Sequence, residues 1–246
     1  MIEIKKIAMA GLFTSAIVLS GHTAFAKGGN QNSAKGGNTG IVSTEVVSSE
    51  SDSTVSLDLN ETTHLIFMRE EEKLARDVYT KLGQMYPSAT IFGNIDNSEQ
   101  KHTDQVKQTL EGYGVADPNT NDNIGVFTGE DYGSYFAEKY AELVGRAQTS
   151  ELEALYVGAF IEELDMLDIV QCPKAIVEIK DDINDVSLCG QIYTDNPDLQ
   201  QMYTSLLDGS KNHLRAYVGN IEAVTGEGSY VAQVLTQEEV DAILGR

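Results

Sequence analysis

Four stretches of this chain repeat apolar residues three and four positions apart, the spacing that lines one side of an α-helix. The first, over 61–85, aligns Leu65, Met68, Ala75, Tyr79 and Leu82, with Asn60 as its N-cap and Thr62 or Thr63 as alternatives. The second, over 89–113, aligns Ile95, Val106, Leu110 and Tyr113. The third, over 150–170, aligns Leu152, Leu155, Ala159, Met166 and Ile169 and stops shortly before Pro173. The fourth, over 197–224, aligns Leu199, Leu206 and Tyr217. No strand-rich region competes with these, so the spacing predicts an all-α fold built on a four-helix bundle. Residues 114–149 make a long connection between helices 2 and 3, with a helical piece over 132–147. Such a crossing lets two helix pairs lie side by side. A short C-terminal helix follows over 236–244, with Thr236 as N-cap and Glu239 closing a capping box.

The chemistry lies in what interrupts the stripes. Glu72 falls between Met68 and Ala75 on the first helix, and Glu99 and His102 fall between Ile95 and Val106 on the second. Glu162 falls between Ala159 and Met166 on the third, with Asp165 three residues on; His213 falls between Leu206 and Tyr217 on the fourth. A buried, unpaired carboxylate is costly and protonates rather than stays charged. Acids and imidazoles spread over four inward faces need a common compensation, and a pair of cations supplies it. Glu99 and His102 have the i, i+3 spacing that aims two side chains at one site. The predicted metal set is Glu72, Glu99, His102, Glu162, Asp165 and His213.

Against this stands the ease with which Glu-x-x-His arises on solvated faces. Glu70, Glu71 and Glu72 are consecutive, so one of them faces inward whatever the function. Glu163 competes with Glu162, because Tyr156, Phe160, Leu167 and Val170 would align equally well with it. His64, near the start of the first helix, reads as a surface or capping residue.

At the N-terminus, Lys5 and Lys6 precede an apolar run over 7–19, and Ala24-Phe25-Ala26 follows with small residues where a signal peptidase needs them. This is the pattern of a secretory signal peptide, residues 1–26, too short in its apolar part to span a bilayer. Residues 27–58, rich in Gly, Ser and Asn, read as a disordered spacer, with Val46–Val47 and the valine–leucine patch at 55–57 as weaker strand candidates. Residues 59–246 have the size of one domain. The expected localisation is outside the cytoplasm, periplasmic or extracellular. A formal net charge of -21 argues against nucleic acid and anionic membrane surfaces as partners. Export permits a disulfide between the two cysteines, Cys172 and Cys189; a thiolate metal pair would want a C-x-x-C spacing that is missing.

The motifs also carry a resemblance. Glu72, Ala75, Arg76 and Tyr79 stand at the offsets of the first metal-binding helix of rubrerythrins, and Glu99 with His102 resembles their second-helix Glu-x-x-His. More closely, Glu70 to Tyr79, Gly158 to Asp165 and Ser210 to Tyr217 together resemble the domain-of-unknown-function family 2202, a bacterial and archaeal branch of the ferritin-like superfamily. The resemblance covers residues 60–225. It implies a ferritin-like bundle holding two metal ions, iron first and manganese as the alternative. Glu72, Glu99, His102 and His213 then match ligand positions, with Glu162 as the third-helix ligand and Glu163 the alternative. Ser210 stands where the fourth helix would carry a bridging Glu, and Asp165 is the candidate to replace it.

Superfamily members use such centres to oxidise iron, reduce peroxide or activate oxygen, through metals about 3.5–4 Å apart. The rubredoxin-like Cys₄ module of rubrerythrins is missing, so turnover would need an external reductant. Three classes remain: an exported di-iron oxidoreductase, a metal-binding protein without turnover, and a metal-free bundle acting as an envelope interaction module.

Overall fold

A computed structural model describes residues 56–246. Among the described residues the regular structure is all helical: α1 (Leu59–Met85), α2 (Thr90–Gly112), α3 (Gly133–Ala147), α4 (Glu151–Val170), α5 (Lys174–Ile179), α6 (Pro197–Thr225) and α7 (Gln237–Leu244), with a 3₁₀ turn at Val186–Leu188. The signal peptide, nearly all of the spacer and the Val46–Val47 patch lie outside the described residues. Leu57 is irregular and packs against the core.

The bundle is formed by α1, α2, α4 and α6. Helix α1 packs on α2 and α4 on α6, while α1–α4 and α2–α6 contacts close the square. The expected stripes form its core: Leu65, Met68, Tyr79 and Leu82 from α1 meet Val106 and Leu110, Ala159 and Ile169, and Leu206 and Tyr217. Tyr113 and Leu152 sit at half-buried edges instead. Helix α3 lies on α1 and α4, within the long connection. No described helix is long and apolar enough to cross a membrane.

The helix ends follow local hydrogen bonding. The N-cap of α1 is Asp58, not Asn60 or either threonine: its carboxylate accepts from Glu61 N–H at 2.8 Å, and the Glu61 carboxylate accepts from Asp58 N–H at 2.9 Å. Two orphan donors are thereby satisfied at once, which a lone Asn60 could not do. Ser150 caps α4, Asn196 caps α6 with Pro197 behind it, and Thr236 with Glu239 closes the expected box on α7. Beyond Pro173 the chain forms the short helix α5, which its sequence did not announce. A disulfide joins Cys172 to Cys189 around this segment, with Cα atoms 4.8 Å apart.

Helix α1 departs from simple amphipathicity, because it is buried on every side. Its outward stripe, Arg69, Lys73, Arg76 and Asp77, is covered by the long connection. Arg69 pairs with Asp117 at 3.1 Å and also donates to Thr103. Arg76 pairs with Asp122 at 2.8 Å and with Asp77 at 2.7 Å, while Asp77 also takes the Lys73 ammonium and Gly125 N–H. A charged face is thus buried with its own countercharges.

Candidate metal centre

Each bundle helix contributes to one polar cluster in the core. From α1, Glu72 places one carboxylate oxygen 3.5 Å from His102 Nδ1. From α2, Glu99 lies between the two histidines: its Oε2 is 3.0 Å from His102 Nδ1 and its Oε1 2.7 Å from His213 Nδ1. From α4, Glu162 places an oxygen 3.3 Å from His213 Nδ1 and accepts the Tyr79 hydroxyl at 2.5 Å. From α6 comes His213 itself, its ring 5.4 Å from that of His102. Possible ligand atoms of Glu99, His102 and His213 all lie within 4.8 Å of one another.

The arrangement is two half-sites, Glu72–His102 and Glu162–His213, with Glu99 spanning both. Asp165 lies on the same buried ground: its Oδ2 accepts the Ser210 hydroxyl at 2.5 Å, and its charged neighbours include Glu72, Glu162 and Glu99. Ser210 on α6 thereby holds the Asp165 carboxylate of α4 beside the cluster.

Four ligand-type atoms in this cluster have no hydrogen-bond partner among the described residues: Glu72 Oε1, Glu99 Oε1, Asp165 Oδ1 and His213 Nδ1. The last pair with Glu99 is telling. Its 2.7 Å contact is close, yet the geometry is not that of a hydrogen bond. Two lone-pair atoms drawn together without pointing at each other fit convergence on a third centre. Buried polar atoms in native proteins are otherwise almost always bonded. Gly209 makes room at the edge of the cluster, since a Cβ there would stand 2.4 Å from His102 Cε1 and Nε2.

The electrostatics match the geometry. Burial alone would lower the His102 pKa, but the Glu72 and Glu99 carboxylates raise it to about 12. Burial likewise opposes the charge on His213, and Glu162 and Glu99 raise it to about 10. Burial pushes the Glu99 carboxyl up, and the two imidazoles overcome this and pull it down to about 2. Glu72 rises to about 7, mainly through burial, with Glu99 adding to it and His102 opposing. Without an added cation, protons on the two imidazoles offset part of the acid charge, and burial favours the protonated form of Asp165.

The neighbouring acids part ways. Glu163 stands outside the cluster, because its carboxylate is taken by the C-terminal segment: the N–H groups of Gln233, Val234 and Leu235 donate at 2.8, 2.6 and 2.9 Å, and the Tyr230 hydroxyl at 2.6 Å. Glu70, Glu71 and Glu72 are all buried rather than one of the three. Glu70 accepts Gly129 N–H at 3.2 Å, and Glu71 turns to Asp168 and Asp165. His64 is no surface residue: it is fully buried, with its Nε2–H donating to the Asp168 carbonyl at 2.8 Å and Nδ1 accepting the Tyr203 hydroxyl at 2.7 Å. Helices α4 and α6 cover the face that it occupies. Tyr79 was read as part of the apolar stripe and of the first-helix motif; its hydroxyl, about two turns from Glu72, is what orients Glu162.

An all-α bundle with a buried acid and imidazole cluster is the class that fold and site define. The family described as "Uncharacterized protein domain (DUF2202)" matches residues 61–246, and the chain belongs to it. It is similar to "Uncharacterized protein MJ0754" of Methanocaldococcus jannaschii, 42% identical over 181 residues that cover 73% of this chain and 84% of that protein. The crystal structure of hypothetical protein MJ0754 from Methanococcus jannaschii is similar in fold, with a TM-score of 0.63 and 39% identity, over 77% of this chain and 94% of that one.

Proposed function

We propose that this chain is an exported protein of the ferritin-like superfamily whose bundle holds a dinuclear metal centre, iron with manganese as the alternative. The observation that carries the reading is the set of unpartnered, buried ligand atoms on Glu72, Glu99, Asp165 and His213, which meet from four helices. Mixed carboxylate and imidazole donors in a bundle core suit such ions. Glu72 with His102 and Glu162 with His213 would hold one ion each, Glu99 would bridge, and Asp165 would complete the set. Bound ferrous iron would give electrons to peroxide or oxygen and be oxidised itself, and an external reductant would return it to the ferrous state.

The chain's own residues prepare the place. Tyr79 fixes the Glu162 carboxylate and Ser210 fixes that of Asp165, so each presents its other oxygen inward. Gly209 leaves the His102 edge free. Both histidines would give up a proton on ligation, so loading should release protons. One observation favours a second reading, a metal-free bundle without turnover: two protonated histidines already offset much of the acid charge.

Elemental analysis of the protein purified from its native export route, beside Glu99→Ala/His102→Ala, decides between them. About two iron or manganese ions per chain, lost in the variant while helicity stays, is the expected result for paired half-sites. A stably helical wild type without metal, or a variant with unchanged metal content, would overturn the proposal.

A further inference from the structure

Outside the metal cluster, a cavity of about 340 Å³ lies between α1, α3, α4 and the start of α5. Leu74, Leu143 and Leu164 line it with hydrocarbon, and Tyr135, Phe136 and Phe160 line it with rings. Glu71 and Asp168 also reach the wall, but their carboxyl groups bond to each other, and Glu71 Oε2 is closed to the cavity. At the rim, Lys139 pairs with Glu142 at 2.9 Å and Lys174 with Glu178 at 3.4 Å. Each acidic or basic side chain on the wall is therefore engaged with another.

Those pairings decide what the cavity can take. An ion of either sign would be stripped of water there and would meet no free countercharge, which is costly. A neutral apolar molecule gives up no strong hydration on entry and gains by burying its own surface. Apolar cavities stay dry, and one of about 150 Å³ admits benzene; the volume here is roughly twice that, which suits a body of two fused rings. The three aromatic side chains on the wall favour a ring over a chain, through edge-to-face and offset contacts.

We propose that this cavity binds a small neutral aromatic molecule of about two rings, held between the leucine side chains and the rings of Tyr135, Phe136 and Phe160. The site uses none of the residues assigned to the metal centre. It therefore fills with or without metal.

Calorimetric titration of the full chain in chelator tests this with naphthalenemethanol, naphthalenemethylammonium, naphthoate and n-octanol as probes. Saturable binding of naphthalenemethanol is expected, with both ions weaker by at least about tenfold for want of a countercharge. The n-octanol chain should bind a few-fold more weakly than the neutral ring for want of aromatic contacts. Leu164→Trp, at a half-buried position on the wall, should abolish binding by filling the cavity. Leu167→Trp, at a second half-buried wall position, makes the same test where circular dichroism shows the first variant unfolded. No saturable binding of naphthalenemethanol to the wild type, an ion or n-octanol bound as tightly, or unchanged binding in a folded tryptophan variant would each overturn the proposal.

Discussion

On the outer face of α1, Arg69, Lys73 and Arg76 are buried against Asp117, Asp77 and Asp122, all supplied by the chain. On the inner face of the same helix, Glu72 is buried with the shared imidazole of His102 as countercharge and the Glu99 carboxylate also beside it. Across the cluster, four ligand-type atoms are left without partners among the described residues. Both faces pay the desolvation cost of buried charge. The outer one closes its balance within the protein and acts as a clasp for the long connection. The inner one leaves ligand-type atoms without partners among the described residues, and the proposed metal ions would supply what they lack.

The comparison can be broken at several points. Asp77→Ala should have the largest effect on stability, because it strands the fully buried Lys73 ammonium and removes the acceptor of Gly125 N–H. A loss of about 3–5 kcal/mol is expected for breaking a buried pair. Chemical denaturation measures it, and metal content per folded chain should not change. If Asp77→Ala stripped the metal as Glu99→Ala/His102→Ala is expected to, the two faces would not be independent.

His64 sharpens the contrast among histidines. Burial lowers its pKa to about 4, against the rise of His102 and His213 beside carboxylates. The unfolded chain binds the His64 proton below about pH 6.5 while the folded chain resists it until about pH 4. Stability tied to His64 is therefore present above pH 6.5 and lost as pH falls towards 4, by about 3 kcal/mol in full. Denaturation curves across that window for wild type and His64→Gln should differ in slope, with the variant flatter. Parallel curves would mean that His64 does not titrate as its burial requires.

The smallest effect belongs to Glu163→Gln. An amide can replace the charge only in part, because an NH₂ group would face backbone N–H donors. We expect a loss of about 2 kcal/mol, as for hydrogen bonds to a charged acceptor, and faster proteolysis of the segment after Tyr230. Metal content should be unaffected. Loss of metal in Glu163→Gln but not in a Glu162 variant would reverse the assignment of these two acids.

Much of this was legible in the order of residues. Apolar spacing marks the four bundle helices to within a few residues, and Thr236 with Glu239 marks the last one. Glu72, Glu99, His102, Glu162, Asp165 and His213 are brought to one place because polar residues in register with an apolar stripe must share its burial. The capping box at Asp58 and Glu61 was equally visible, but the neighbouring Asn60 and threonines offered rival caps. Helix α5 follows a proline and is too short to show a period.

Helical periodicity determined which faces of α1, α2, α4 and α6 turn inward, since 3.6 residues per turn relates each side chain to its own helix axis. It could not choose between Glu162 and Glu163, which stand about 100° apart on a helix that is apolar nearly all round. That choice belongs to the tertiary structure: four donors brought from Tyr230 and from Gln233 to Leu235 take Glu163, and Tyr79 with His213 take Glu162. The burial of His64 and of all three consecutive glutamates was decided in the same way. A residue's own helix sets its direction, but only the segments that fold over it set what it meets.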